Sequence, residues 1–513
     1  MASIDDLLVH LGPWHYGIMI FCFLRGFPTA YHAMAPTFAA PSLHHWCARP
    51  PFLSSWDTER WKARGIPLVH EGKGRPASSG CEMYIARVTN GEIQISNDTT
   101  VRCSSWEYDL TENTRTLTDQ FDLVCDRIWL RAASQSLYMV GVMAGSFFYA
   151  HISDWYGRKT ALTWTLPMPL VAGFMSAFAP SFEVYIVGRI LASFGFGGLY
   201  NTGYTLMIEC VAVKHRAMGT FLVSVGWTCG LLVLVGFAWV IRDWFYLQIT
   251  ISLVVVINLV LLYFITESPR WLLAMGKFKE ARKTLNHIIA TNKIKGYSAE
   301  SIVDKYSTMM VKEEVKRRVT FLDLFRPSLR WSSVIVTLMG IFDSLVYFNQ
   351  TYSSILLGRD PYLSFALTSL SELPGWIASV FFIRYVRRRT TYMTMYAVQA
   401  AGSAVIAFIT DELWWLQLCF AVLVKLGATC TLNVIIVQIS EIYPTEIRTL
   451  ATGFTITGST LGAMAAPFVK ELGVMFAPWI PRAVDVVVCL LLLFLGISLP
   501  ESFNAELLDT MER

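Results

Sequence analysis

The chain has 513 residues, 54% of them hydrophobic and 16% charged, with a formal net charge of +4. An ordinary soluble chain carries about 25% charge, so this one lacks the polar surface that water demands. A simple soluble globule is excluded, and so small a net charge gives no ground for a nucleic-acid partner.

A helix needs about 20 apolar residues to cross about 30 Å of hydrocarbon. Twelve stretches qualify: 16–36, 132–152, 160–180, 182–208, 216–240, 244–265, 331–357, 362–383, 391–409, 413–440, 446–469 and 479–499. They are spans 1 to 12. Span 1 has no basic region before it and no small-residue cleavage site, so it reads as an anchor that stays. Residues 44–128, between spans 1 and 2, are polar, with 12 acids against 10 Lys/Arg. They hold Cys47, Cys81, Cys103 and Cys125, an even set that predicts two disulfides with three pairings open. Asn97-Asp98-Thr99 is a glycosylation sequon in the same loop. The other six cysteines fall in spans and read as small buried apolar residues.

Residues 267–330, between spans 6 and 7, hold 14 Lys/Arg against 7 acids. Basic loops stay in the cytoplasm, which puts this segment and both termini inside and 44–128 outside. "RWLLAMGKFKEARKTLNHIIA" has helical apolar spacing and predicts amphipathic helices there. The expected units are 1–265, a six-helix bundle with the outer loop; 266–330, a cytoplasmic basic segment; and 331–513, a second bundle.

The halves echo each other. "IECVAVKHRAMGT" after span 4 carries Glu209 and Arg216, and "SEIYPTEIRTLATG" after span 10 carries Glu441 and Arg448. "SDWYGRK" (Asp154, Arg158, Lys159) meets "IRYVRRR", and "ESPRWLL" (Glu267) meets "PES" (Glu501). The shift is 230 to 234 residues in all three pairs, the mark of an internal duplication. Two parallel six-span repeats make two bundles with a pathway between them. All these charges fall at the inner ends of spans. Asp154/Arg158, Glu209/Arg216 and Glu441/Arg448 are therefore expected to pair when the inner side is shut and to separate when it opens.

Further motifs carry a resemblance. "FAAPSLHHWCARPP", "CSSWEYD" and "TDQFDLVCDRIWL" in the outer loop, with "ESPRWLLAMGKFKEA", "EIYPTEIR" and "LPES" on the inner face, stand in order. Over nearly its whole length the chain resembles the organic cation/anion/zwitterion transporter family of the major facilitator superfamily. The resemblance implies an all-α membrane protein with twelve transmembrane helices in two bundles. Its implied activity is plasma-membrane transport of small organic ions. Ala150 and Trp155 depart from that superfamily's loop motif, and Arg384 and Arg387 replace its acid and glycine in the second copy. The clamp made by this motif is thus not implied for the C-terminal half.

Ionisable groups within spans are costly and tend to face a cavity or a partner. Glu372 and Lys425 match acidic and basic family positions on spans 8 and 10, and they also read as a buried ion pair. His32 resembles a histidine of the organic-anion branch; Asn201 and Gln248 match polar family positions. Asp343 stands among aromatics, able to hold a cation, carry a proton or pair with Lys425. Arg25 and Asp485, the latter near an edge of its span, read as structural or edge groups. Trp227, Tyr347, Phe348 and Trp376 supply faces for a quaternary ammonium. In the family an acid on span 11 goes with cations and an arginine with anions; that position here is Thr460, which is neutral.

The substrate class expected is a small organic ion, with cation or zwitterion favoured over anion and a co-transported or exchanged ion allowed. The alternatives are an organic anion exchanger of the same family and a sensor that binds without transporting. A membrane enzyme would need a catalytic constellation that is absent. No cofactor, metal or nucleotide is expected, since the chain has no HExxH, no CxxC pair and no Gly-rich GK[ST] loop.

Overall fold

The computed structural model describes residues 4–69, 77–89, 92–110, 114–310, 321–327 and 329–503. All twelve spans are helical. Span 1 is Pro13–Leu24 and Gly26–Ala39; span 2, Trp129–Tyr156; span 3, Arg158–Thr165 and Pro167–Ala177. Spans 4 to 6 are Phe182–Cys210, Arg216–Val240, and Trp244–Leu253 with Val255–Phe264. Spans 7 to 9 are Arg330–Ser353, Pro361–Leu370 with Glu372–Tyr385, and Arg388–Phe408. Spans 10 to 12 are Trp414–Ile442, Thr445–Met475 and Ile480–Ser498. Among the described residues seven helices are long and apolar enough by length and composition alone: spans 4, 5, 6, 7, 8, 10 and 12. The other five carry more polar residues, such as Arg131, Gln135 and Ser136 in span 2.

Three breaks share a cause. Helices end at Leu24, Thr165 and Leu370, each four residues before a proline, Pro28, Pro169 and Pro374. Proline offers no N–H to the carbonyl four residues back and its ring crowds it, so the helix opens there. The breaks put Arg25 and Glu372 at the starts of new helical segments within their spans. Close packing within each half relies on glycine. A Cβ on Gly145 of span 2 would stand 1.9 Å from the Phe194 carbonyl oxygen of span 4. On Gly462 of span 11 it would stand 1.9 Å from the Ile341 oxygen of span 7. Small residues let backbones approach where lipid leaves no hydrophobic drive for association.

Each half has its own core, with Phe196, Leu199 and Met207 in the first and Met339, Tyr396 and Val434 in the second. A third core joins them, bringing Tyr31, Tyr138 and Leu231 against Tyr352, Phe365 and Ala463. Val171, Tyr263, Phe264, Phe408 and Phe494 are exposed on the outside of the bundle. Apolar surface on this scale needs lipid around it.

The segment after span 6 forms helices Pro269–Ala274, Phe278–Thr291 and Ala299–Met310. Ala281, Leu285 and Ile288 are buried against the N-terminal core, while Lys279, Arg282 and Lys283 stay exposed, as the amphipathic spacing predicts. Trp14 of span 1 donates from its backbone N–H to Asn292, and Arg270 pairs with Asp5 at 2.6 Å, which ties the segment to that half. We call this the basic face and the opposite one the disulfide face.

The loop between spans 1 and 2 is a small mixed unit. Cys47 bonds Cys103 and Cys81 bonds Cys125, which resolves the three open pairings. Strand His45–Cys47 pairs antiparallel with Trp106–Tyr108, and Glu82–Thr89 pairs with Glu92–Arg102. Trp61 is fully buried and donates to the Cys47 carbonyl at 2.8 Å. Asn97 falls in the second hairpin strand, and its side chain lies outside the described residues. The reading of the span cysteines needs one correction. Cys22, Cys210, Cys430 and Cys489 are buried, but Cys229 is half-buried and Cys419 exposed. A thiol is apolar enough to face lipid as well as core.

Candidate substrate pathway and gates

Two matching clusters occupy the basic face. In the first, Arg158 donates to both carboxylate oxygens of Glu209, at 2.9 and 2.8 Å, and to the Ser153 carbonyl at 2.7 Å. Asp154 adds an exposed contact at 3.1 Å. Glu267 accepts the backbone N–H groups of Arg158 and Lys159, capping span 3. In the second, Arg388 donates to both oxygens of Glu441, at 3.0 and 2.7 Å, and to the Ile383 carbonyl at 2.7 Å. Glu501 caps span 9 through the N–H groups of Arg388 and Arg389. Bidentate guanidinium–carboxylate pairs are the strong, geometrically specific kind.

These contacts correct two expectations. Glu209 does not pair with Arg216, nor Glu441 with Arg448, because an arginine fork from the span 2–3 or span 8–9 turn already occupies both oxygens. Arg448 donates instead to the Tyr443 carbonyl at 3.3 Å. Each cluster also lies within one half, so it holds that half together and is not itself an ion-pair gate between halves. The clamp does exist in the C-terminal half, on Arg388. In the first copy Gly157 has φ +110, and a Cβ there would stand 2.4 Å from a Glu267 oxygen, so only glycine fits. At the matching position Arg387 has φ −60 and ψ 142, ordinary extended backbone that any residue adopts. Burial raises the Glu267 carboxyl above the usual range despite its N–H partners. Burial also pushes up Glu501, but the N–H groups of Arg389 and Arg388 outweigh it and hold that carboxyl low.

A second constellation sits where the halves meet. Lys425 and Glu372 form a buried ion pair at 3.2 Å, with the side chains 2% and 0% exposed. Lys425 lies 3.2 Å from the centre of the Tyr347 ring and donates to Thr351. Tyr347 donates to one Glu372 oxygen at 2.7 Å, and Thr228 of span 5 donates to the other at 2.8 Å. Trp227 donates to the Tyr347 hydroxyl at 3.1 Å. Spans 5, 7, 8 and 10 thus converge on one neutral, fully hydrogen-bonded pair, near a helix start that favours the Glu372 carboxylate.

The other candidates are dispersed. Phe348 meets the Tyr347 ring edge-on and the Tyr352 ring at a tilt, and Trp376 is half-buried, one turn past Glu372. Asp343 does not pair with Lys425. It is fully buried inside the C-terminal half and accepts from Thr431 at 2.8 Å. His32 is packed inside the N-terminal half against Phe196, Asn201 donates to the Ser146 carbonyl, and Gln248 reaches Gly173 and Ser252. Thr460 bonds its own helix at the Ile456 carbonyl. Asp485, read as near an edge, is fully buried with Asn349, Gln350 and Arg482.

Toward the disulfide face the halves are latched. Arg131 of span 2 and Glu471 of span 11 form a buried pair at 2.6 Å. Gln135 donates to the Tyr352 hydroxyl at 2.8 Å and accepts from Arg189 at 2.7 Å. Phe38 stacks on Tyr362 with centroids 5.5 Å apart. No periodicity or motif marked Arg131 or Glu471, and Glu471 falls just past the expected end of span 11. Thr228 was equally silent, a small residue in an apolar run.

Two bundles of six, closed together at one end by a latch and at mid-depth by the Thr228–Glu372 and Trp227–Tyr347 hydrogen bonds, define a secondary transporter of the major facilitator fold. The E. coli xylose transporter XylE, in a partially occluded inward-open conformation, shares that fold with a TM-score of 0.62 at 15% identity, covering 96% of this chain and 100% of its own. The sequence profile described as sugar (and other) transporter matches residues 112–507. Human solute carrier family 22 member 11 is 31% identical over 424 residues, 81% of this chain and 76% of its own. Mouse organic cation/carnitine transporter 2 is 28% identical over 539 residues, 100% of this chain and 94% of its own. The chain belongs to the sugar (and other) transporter family and, within it, to solute carrier family 22.

Proposed function

We propose that this chain carries a small zwitterion, or a cation with polar groups, across the plasma membrane by alternating access. Its disulfide face is outside; its basic segment and both termini are inside. Disulfides form in oxidising compartments, and basic loops are retained in the cytoplasm. The Asn97 sequon would then be open to glycosylation.

The observation that carries the substrate reading is the Glu372–Lys425 pair beneath Trp227 and Tyr347. Both signs of charge stand at one point between the halves. A substrate ammonium over Tyr347 competes with Lys425 for Glu372, which leaves Lys425 uncompensated and favours a substrate that brings a negative charge of its own. Thr460 adds no charge of either sign. The mouse relative is named for organic cations and carnitine, which supports the same class. A cation gains about 2.3 kcal/mol per charge per 100 mV from the membrane potential, whereas a net-neutral zwitterion gains nothing. Concentrating a zwitterion therefore requires a co-transported or exchanged ion.

The test is uptake under voltage control in expressing cells, with labelled glycine betaine, tetramethylammonium and an aromatic carboxylate. Saturable betaine uptake that falls about 10- to 100-fold in Glu372→Gln or Lys425→Met, at equal surface level, is the expected result. Uptake of the aromatic carboxylate alone, weakened by Lys425→Ala, would make the protein an organic anion exchanger. Binding without saturable flux would make it a sensor.

A further inference from the structure

We infer that Arg25 is the seat of the carboxylate of the transported ion, a binding residue separate from the Glu372–Lys425 pair. This deepens the reading above and rests on it.

Arg25 stands at the break in span 1 and is 1% exposed. Arginine stays charged in any protein setting and carries five N–H donors. Nη1 donates to the Leu199 and Tyr200 carbonyls of span 4, at 3.3 and 2.9 Å. Nε and Nη2 have no hydrogen-bond partner. The guanidinium lies 5.2 Å from the Tyr200 ring centre, and the Cys22 thiol is beside it. Among the described ion pairs none has Arg25 as a member. Arg131 and Arg482, also buried in spans, have Glu471 and Asp485. Arg189 lacks a carboxylate but spends both terminal nitrogens, on the His32 carbonyl and Gln135, under the Tyr138 ring. Of these four, only Arg25 has a terminal nitrogen that is both buried and without a hydrogen-bond partner. A buried cation with idle donors is unfavourable until an anion arrives.

The guanidinium is closely packed, so an anion reaches it only when a side chain moves aside. Gly203 faces the guanidinium, and a Cβ there would stand 2.8 Å from Cδ and 3.0 Å from Nε of Arg25. Tyr200 is 48% exposed although span 4 is largely buried, so its ring forms the wall between Arg25 and the open side. The next residue, Gly26, lies against the backbone of Gly226 and Trp227, with a Cβ there 2.7 Å from the Trp227 nitrogen. Trp227 in turn bonds Tyr347 over Glu372. A swing of the Tyr200 ring would thus open a cationic end near one side of Trp227 while an aromatic, acidic end lies on the other. That polarity fits a molecule with a quaternary ammonium at one end and a carboxylate at the other.

Glycine betaine and tetramethylammonium differ by the carboxylate, so the pair isolates Arg25. Arg25→Gln should lower betaine uptake about 10- to 100-fold at equal surface level and leave tetramethylammonium uptake unchanged, with Arg25→Lys in between. Equal loss of both probes, or no loss of betaine, would overturn the assignment. Thermal unfolding of the purified full chain decides the point without transport. Betaine should raise the midpoint of the wild type and not of Arg25→Gln. If chloride in place of gluconate does this and betaine does not, Arg25 holds an inorganic anion and the carboxylate assignment falls. If the wild type takes up neither probe, the transport reading fails, while the betaine shift still tests Arg25.

Discussion

Arg387 and Arg388 are neighbours in a basic run, yet their surroundings assign them opposite importance. Arg388 is buried and spends its fork on Glu441, whereas Arg387 holds only the helix start. Arg388→Ala leaves Glu441 without its fork and should cost about 1.5–3 kcal/mol, as lost charged hydrogen bonds do. Arg387→Ala should stay within about 0.5 kcal/mol, as a surface change does. Thermal unfolding of the two purified variants checks this, and Arg158→Ala should match Arg388→Ala. The repeat was legible at this scale but its geometry was not. A shift of 230 residues carries Arg158 onto Arg388, and shifts of 232 and 234 carry Glu209 and Glu267 onto Glu441 and Glu501. The offset was visible while the partners were not, because Glu209 has Arg216 seven residues away in sequence and Arg158 fifty-one away. The same blindness affected Asp343. Its sequence neighbours are aromatic on either reading, and only packing reveals that it turns into its own half.

The spans were the most legible elements, since a long apolar run has few other uses. Their breaks went unread, because Pro36 and Pro467 lie inside unbroken helices while Pro28, Pro169 and Pro374 follow breaks, and sequence alone does not tell the two apart. The loop between spans 1 and 2 was read only as polar and cysteine-bearing, and its strands went unread. Short hairpins around disulfides have little periodicity to betray them, and register there is set by the cross-links. That dependence has a measurable consequence. The Cys47–Cys103 bridge closes a separation of 56 residues and encloses Trp61. In the chain-entropy account a loop of that length is worth about 4 kcal/mol. Cys47→Ser with Cys103→Ser should therefore loosen this unit alone. Limited proteolysis should cut between residues 44 and 128 at least about tenfold faster, while the piece that carries spans 2 to 12 stays intact. Cleavage spread over the whole chain would mean that the loop props up the bundle.

For the whole molecule, the decisive fact is where the halves touch. The latch of Arg131–Glu471 and Gln135–Tyr352 lies toward the disulfide face, and Glu372 with Thr228 joins the halves at mid-depth. The two arginine–glutamate clusters on the basic face each stay within a half. Rigid halves joined at one end and middle rock as bodies about the remaining contact. Opening the disulfide face requires separating Arg131 from Glu471, both about 5% exposed. Removing one member of a buried pair costs about 3–5 kcal/mol, because the other is left uncompensated. That cost falls only on the latched state, so Glu471→Gln should move the population toward the state open on the disulfide face. A cysteine placed at Ser136, which donates to the Met464 carbonyl across the interface, reports the change. Its labelling from the disulfide side by a membrane-impermeant thiol reagent should speed up at least about tenfold in Glu471→Gln. The charge-swapped pair, Arg131→Glu with Glu471→Arg, should bring the rate back toward that of the parent. Unchanged labelling in Glu471→Gln would mean that the stacked Phe38–Tyr362 pair and the shared aromatic core hold this end shut without the ion pair.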